Sequence, residues 1–252
     1  MRKWVTVLIF MPLFFNAQAK VVKMATVDWP PYFSKKLKGQ GLIVRLIEES
    51  LKVKGHSLVV NYMPWKRAMS LAERGKKAHA LLGCFYTKER EKIYNFSKEI
   101  SSAAFHFLIS KKKFVDRVSS PAQLKNLQLG KVRGYAMSEK LTNFKGLGQI
   151  KEVNKLTQLF GMVERGKVDV ILENPLVARF EFNKKYPGKD YPLKDAGPDF
   201  PASDGSLSGG LHICWSKRNK DVQAFLPDFD EGLKAIKANG TYNKVRREFG
   251  LK

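Results

Sequence analysis

Thr87-Lys88-Glu89-Arg90 follows an apolar stretch at residues 78–85 by one short turn. A guanidinium just beyond a strand can clasp a carboxylate through two parallel hydrogen bonds. Parallel sheets hold ligands beyond the carboxyl ends of their strands, which suits Arg90 to that role. The competing reading makes Arg90 one of 46 basic residues forming a surface pair. Thr87 is placed to cap the turn carrying Arg90 and can also reach a ligand. Gly134 ends a second predicted strand and precedes a predicted helix start, where free N–H groups suit an anion. Tyr135 beside it either lines the same site or only packs, an apolar ring with a polar tip. Glu173 is the one obvious carboxylate for acid–base work, and a lone carboxylate is weak ground for a catalytic site. His56, His79, His106 and His212 show no metal-ligand spacing, and two cysteines do not make a zinc module.

The 252 residues carry 46 Lys and Arg against 23 Asp and Glu, with 44% apolar and 12% aromatic residues. That apolar content excludes intrinsic disorder and supports one large domain or two lobes. Met1-Arg2-Lys3, an apolar run over 4–15, and Asn16-Ala17-Gln18-Ala19 form the three parts of a secretory signal. Cleavage is expected after Ala19, leaving a soluble exported chain of net charge +21. The apolar run falls short of the roughly 20 residues that a membrane span needs. The residue directly after the cleavage site is Lys20 and not a cysteine, so no lipid anchor is expected. The positive charge is spread along the chain rather than gathered in a stripe, which argues against a nucleic-acid partner.

These groups need elements to position them. Residues 21–27 read as a strand that Pro30-Pro31 cannot continue, so an aromatic loop sits at its end. A helix over 42–54, a strand over 57–63, a helix over 66–74 and a strand over 78–85 follow. Alternation of this kind implies a parallel sheet with crossovers. It restarts after Lys111-Lys112-Lys113, with strands over 128–132, 149–153 and 168–172 and a helix over 157–165. Residues 187–210 read as loop, 211–216 as a strand and 222–238 as a C-terminal helix.

Several short segments in this order resemble the extracellular solute-binding proteins of family 3, receptors of polar amino-acid importers. They are Trp29-Pro30-Pro31-Tyr32, Pro64-Trp65-Lys66-Arg67-Ala68, Thr87-Lys88-Glu89-Arg90 with Phe96-Ser97, Gly134-Tyr135, Gly166-Lys167-Val168-Asp169 and Asn239-Gly240-Thr241-Tyr242. The resemblance implies a type II periplasmic-binding-protein fold. That fold has two α/β lobes, each with a mostly parallel sheet flanked by helices, joined by two hinge strands around a ligand cleft. Residues 20–110 with 207–252 are expected as one lobe and 111–206 as the other.

By the same resemblance, Tyr32, Trp65 and Phe85 stand at pocket positions, while Arg90 and Gly134 face a ligand carboxylate from opposite lobes. Arg67 either pairs with a ligand or points to solvent. Asn174 stands where the family usually has an Asp that pairs with the ligand ammonium, so a carboxylate-bearing ligand is expected more firmly than a zwitterionic one. The implied function is a monomeric periplasmic receptor, without cofactor, that delivers its ligand to the membrane permease of an ABC importer. Its rivals are a small-molecule lyase on the same scaffold and a basic exported polyanion binder. Cys84 and Cys214 are expected on strands that can be neighbours. Because bridges between adjacent strands are geometrically demanding, two buried free thiols are expected, with a disulfide as the alternative.

Overall fold

The computed structural model describes residues 20–200 and 209–250. The expected signal segment and the expected lobe boundary at 207 lie outside the described residues. The chain order is β1 (Val21–Thr26), α1 (Leu42–Lys52), β2 (Ser57–Tyr62), α2 (Trp65–Arg74), β3 (Ala80–Cys84), α3 (Lys88–Glu91), β4 (Tyr94–Phe96) and β5 (Ser101–Ser102). Next come β6 (His106–Ser110), β7 (Leu129–Val132), α4 (Glu139–Thr142), β8 (Lys151–Val153), α5 (Leu156–Glu164), β9 (Val170–Glu173) and α6 (Pro175–Lys185). The chain then continues through β10 (Leu193–Pro198), β11 (Gly210–Ser216), α7 (Phe225–Ala238) and α8 (Thr241–Glu248).

Two sheets form. The first runs β2-β1-β3-β11-β4, with β5 also paired to β11, and the second runs β10-β6-β9-β7-β8. The pairs β1–β2, β1–β3, β7–β8 and β7–β9 are parallel, as the strand–helix alternation requires. The sheets are more mixed than expected. Strands β11 and β6 pair antiparallel on both sides, and β6 follows β5 after three residues, too few for the helical crossover that a parallel partner needs. All residues of β3 and β9 are buried, the mark of strands covered on both faces.

The boundary between the lobes is earlier than the sequence suggested. Residues 106–110 were expected in the first lobe, but β6 pairs with β9 and β10 of the second sheet. Phe107 and Ile109 pack into the second lobe's cluster with Leu124, Leu129 and Leu141. The crossing therefore falls between β5 and β6, and the polar Lys111–Lys113 stretch is only a turn within the second lobe. The stretch 187–210, expected as loop, contains β10 as an edge strand. Helix α6 was not foreseen. Its apolar residues fall on several sides, with Leu176 and Phe180 exposed while Val177 and Phe182 are buried, so no single apolar face announces it. The Asn174-Pro175 start, a cap followed by proline at the first helical position, is the signal that could have found it.

The thiol expectation is also corrected. Cys84 and Cys214 form a disulfide with Cα atoms 6.4 Å apart. The β3–β11 register shifts between His212 and Ile213, so the two cysteines are offset instead of directly opposite. That irregularity relaxes the geometric demand of a bridge between neighbouring strands.

Candidate functional site

The loops after β1, β3, β7 and β9 meet between the two sheets, at the carboxyl ends of the parallel strands. After β1 the two prolines stop the ladder, and a tight turn ties the Trp29 N–H to the Phe33 carbonyl at 2.7 Å. The turn buries Trp29 and Phe33 and leaves Tyr32 half-buried, stacked on Trp29 at 4.8 Å. A run of rings continues from there. Phe85 meets Trp29 edge-on at 6.1 Å and Phe105 at 4.8 Å. Phe105 stacks on Tyr135 at 5.4 Å, and Tyr135 meets Trp65 edge-on at 6.0 Å. Trp65, Phe85, Tyr135 and Tyr32, all singled out in the sequence, are brought together here. Trp29, Phe33 and Phe105 were not singled out, although Trp29 belongs to the same aromatic loop.

Hydrogen bonds cross between the lobes at this wall. Arg90 Nη2 and Trp65 Nε1 both donate to the Gly134 carbonyl at 3.0 Å. On the other side, Trp29 Nε1 donates to Glu173 Oε1 at 2.9 Å. An ion pair between Lys88 and Glu139 at 3.1 Å bridges the exposed rim. The central cavity is only about 20 Å³, close to the volume that one water needs. Larger hollows flank it. One of about 530 Å³ is lined by Thr87, Arg90 and Gly134, and one of about 360 Å³ by Trp29, Tyr62 and Glu173. Tyr135 lines all three.

Arg90 is only 5% exposed and forms no ion pair among the described residues. Its other terminal nitrogen donates to the Phe85 carbonyl at 2.8 Å, and its guanidinium lies over the Trp65 ring at 5.5 Å. Burial pulls its pKa down to about 10, so it remains charged at neutral pH. Thr87 caps α3, its hydroxyl accepting the Arg90 N–H at 3.1 Å, which fixes the turn that aims Arg90. Arg67 is exposed and takes the solvent alternative.

Two expectations change. Gly134, at φ 81°, presents its carbonyl to the other lobe rather than an N–H, and no helix starts there. Helix α4 begins five residues later behind Ser138, whose N–H and hydroxyl both donate to the Asp199 carboxylate at 2.8 Å. An internal anion thus already takes the place at that helix start. Asn174 caps α6. Its Oδ1 accepts from the N–H groups of Leu176 and Val177, and its Nδ2 donates to Ala104 O at 3.0 Å and Tyr32 Oη at 3.4 Å. All four hydrogen-bonding positions of the amide are used, so none is left for the expected ligand contact in this geometry.

Glu173, next to it, is 0% exposed. Its Oε1 accepts from Trp29 and from the Asn174 N–H at 2.8 Å, while Oε2 has no partner among the described residues. Desolvation raises its pKa to about 8 against those two hydrogen bonds. The folded carboxyl therefore holds its proton more firmly than the unfolded one, whose value is 4.5. Its contribution to stability is fully present below about pH 4.5 and is lost as pH rises through about 8. The melting temperature of Glu173→Gln, which cannot ionise, should gain on the wild type steadily from pH 5 to pH 8.5. Parallel curves in differential scanning calorimetry would refute an ionisable burial penalty here. Among the described residues, no group of three His, Cys, Asp or Glu is placed to hold a metal.

Known structures share this arrangement of lobes. The arginine-, lysine-, histidine-binding protein ArtJ from the thermophilic bacterium Geobacillus stearothermophilus is 21% identical, with a TM-score of 0.71, over 92% of this chain and 96% of that one. An ancestral arginine-binding protein bound to arginine is 22% identical, with a TM-score of 0.70, over 90% and 97%. AbpA from Streptococcus pneumoniae, an amino acid ABC transporter substrate-binding protein bound to L-arginine, is 18% identical, with a TM-score of 0.70, over 92% and 94%. At these identities the likeness establishes the two-lobed type II periplasmic-binding-protein fold. A comparison with curated protein sequences finds no match. The family model for bacterial extracellular solute-binding proteins, family 3, matches residues 22–252, and the chain belongs to that family.

Proposed function

We propose that this family member is a periplasmic receptor that closes on a small polar, carboxylate-bearing ligand and hands it to the membrane permease of an ABC importer. The observation that carries the reading is Arg90, buried at the seam between lobes without a carboxylate partner among the described residues. Its bond to the Gly134 carbonyl is replaceable, since a ligand carboxylate offers a charged acceptor where the carbonyl offers a neutral one. The central cavity cannot take an amino-acid-sized molecule, so a ligand there has to part the Arg90–Gly134 and Trp65–Gly134 contacts first. Closure then rests on contacts that both lobes make to the ligand. The signal-like pattern at residues 1–19 supports export, with cleavage after Ala19. The related AbpA is a substrate-binding protein of an amino acid ABC transporter, which supports the importer as partner.

The test is a thermal-shift screen of amino acids and small carboxylates, each beside its primary amide. A ligand that binds only the folded state raises the melting temperature. Acids should shift it and their amides should not. Amides as effective as their acids would overturn the carboxylate assignment.

A further inference from the structure

We infer that Glu173 and Tyr62 form a subsite for a cationic group of the ligand, an ammonium or guanidinium, in the hollow on the Trp29 side of the aromatic wall. The inference rests on the receptor reading above and extends it to the charge of the ligand. Both residues line the hollow of about 360 Å³, and each keeps one oxygen shielded from solvent and without a hydrogen-bond partner, Glu173 Oε2 and Tyr62 Oη. Buried polar atoms are nearly always satisfied, so two orphans on one hollow mark a place where a donor belongs. A carboxylate oxygen and a phenol oxygen both accept from an ammonium or guanidinium. The chain has twice as many basic as acidic residues, yet among the described residues no cation bonds to Glu173 Oε2.

Charged groups of both signs line the hollow, and burial sets them apart. Lys36, Lys155 and Lys184 also line the hollow, but all three are exposed, where solvent and salt screen them. Glu173 is fully buried and becomes charged on pairing with a cation, while the half-buried Glu181 and the exposed Asp28 line the same hollow. Coulomb interactions count for more at a buried group than at exposed ones. The hollow falls in the size range of small-molecule sites, whereas the central cavity does not. Asn174 is committed to capping α6, and the unpaired carboxyl oxygen sits one residue earlier at the end of β9.

The experiment uses the exported chain, residues 20–252, in calorimetry with matched probes. The pairs are L-arginine with L-citrulline, L-lysine with L-norleucine, and 5-aminopentanoate with pentanoate. In at least one pair the cationic member should bind the wild type roughly tenfold or more tighter than its neutral partner. Glu173→Gln should erase that preference and Glu173→Asp should keep part of it. Binding of the cation near pH 7 should release a proton, read as a buffer-dependent heat, because the carboxyl gives up its proton when it pairs. Glu173→Gln should melt close to the wild type at pH 5, which separates loss of the subsite from loss of the fold. A cationic preference that survives Glu173→Gln overturns the inference, as does a panel in which no cationic member is preferred. Arg90→Ala measured with the same pairs distinguishes the two readings. If it weakens both members of a pair alike while Glu173→Gln changes nothing, the carboxylate reading stands and this one fails. If Arg90→Ala has no effect while Glu173→Gln removes the preference, this one stands and the carboxylate reading fails.

Discussion

Arg90→Ala binds a carboxylate ligand more weakly than the wild type by at least roughly 2 kcal/mol, more than about tenfold in affinity. The guanidinium is buried and already oriented by the Phe85 carbonyl and the Trp65 ring, so little ordering remains to be done when a carboxylate arrives. Removing it also leaves the Phe85 carbonyl without that donor and breaks one contact between the lobes. Some stability is therefore lost together with affinity. Arg90→Lys separates the two effects. It keeps the charge but not the planar fork, so it should retain the fold and still bind weakly. Calorimetry on both variants, with a ligand found by the thermal screen, checks this. Unchanged affinity in Arg90→Ala would sink the carboxylate clasp.

Cys84→Ser lowers the stability of the folded chain by about 3 kcal/mol in urea denaturation under oxidising conditions. The bridge spans 130 residues of sequence, nearly the whole distance from the third strand to the return strand. It therefore ties the first lobe on both sides of the inserted second lobe, and so restricts the unfolded chain over a long loop. Both sulfurs belong to fully buried residues, so reductant should act only when denaturant opens the lobe. Mass spectrometry of the chain from Lys20 onward should find it lighter than its reduced form by two hydrogens. Thiols that alkylate upon unfolding without reductant would refute the bridge.

Much of the first lobe was legible along the chain. Apolar spacing at 42–54 and 66–74, between strands ending at loops, is local information, and α1 and α2 form there. Thr87 capping the turn of Arg90 is local in the same way, since donor and acceptor are three residues apart. Proline pairs stop strands wherever they fall, so the aromatic loop after β1 could be placed without knowing its neighbours.

What those groups face was not legible, because it depends on partners far along the sequence. Trp29 meets Glu173 across 144 residues and Arg90 meets Gly134 across 44. Whether Gly134 offers its N–H or its carbonyl depends on a positive φ and on where α4 begins, and Asp199 sets the latter from the neighbouring segment. Helix α6 hid because its apolar residues serve more than one surface. The lobe boundary hid because β6 is a strand of ordinary composition that pairs on both sides only in the second sheet. The sequence by itself determined the alternation of elements, the presence of aromatic residues and Arg90 at the strand ends, and the family. Only the tertiary structure decided that Asn174 is spent on a helix cap, that Glu173 is buried with one oxygen unpaired, and that Cys84 reaches Cys214. Local propensity acts within a few residues, whereas burial and pairing are set by which distant segments the two sheets bring together.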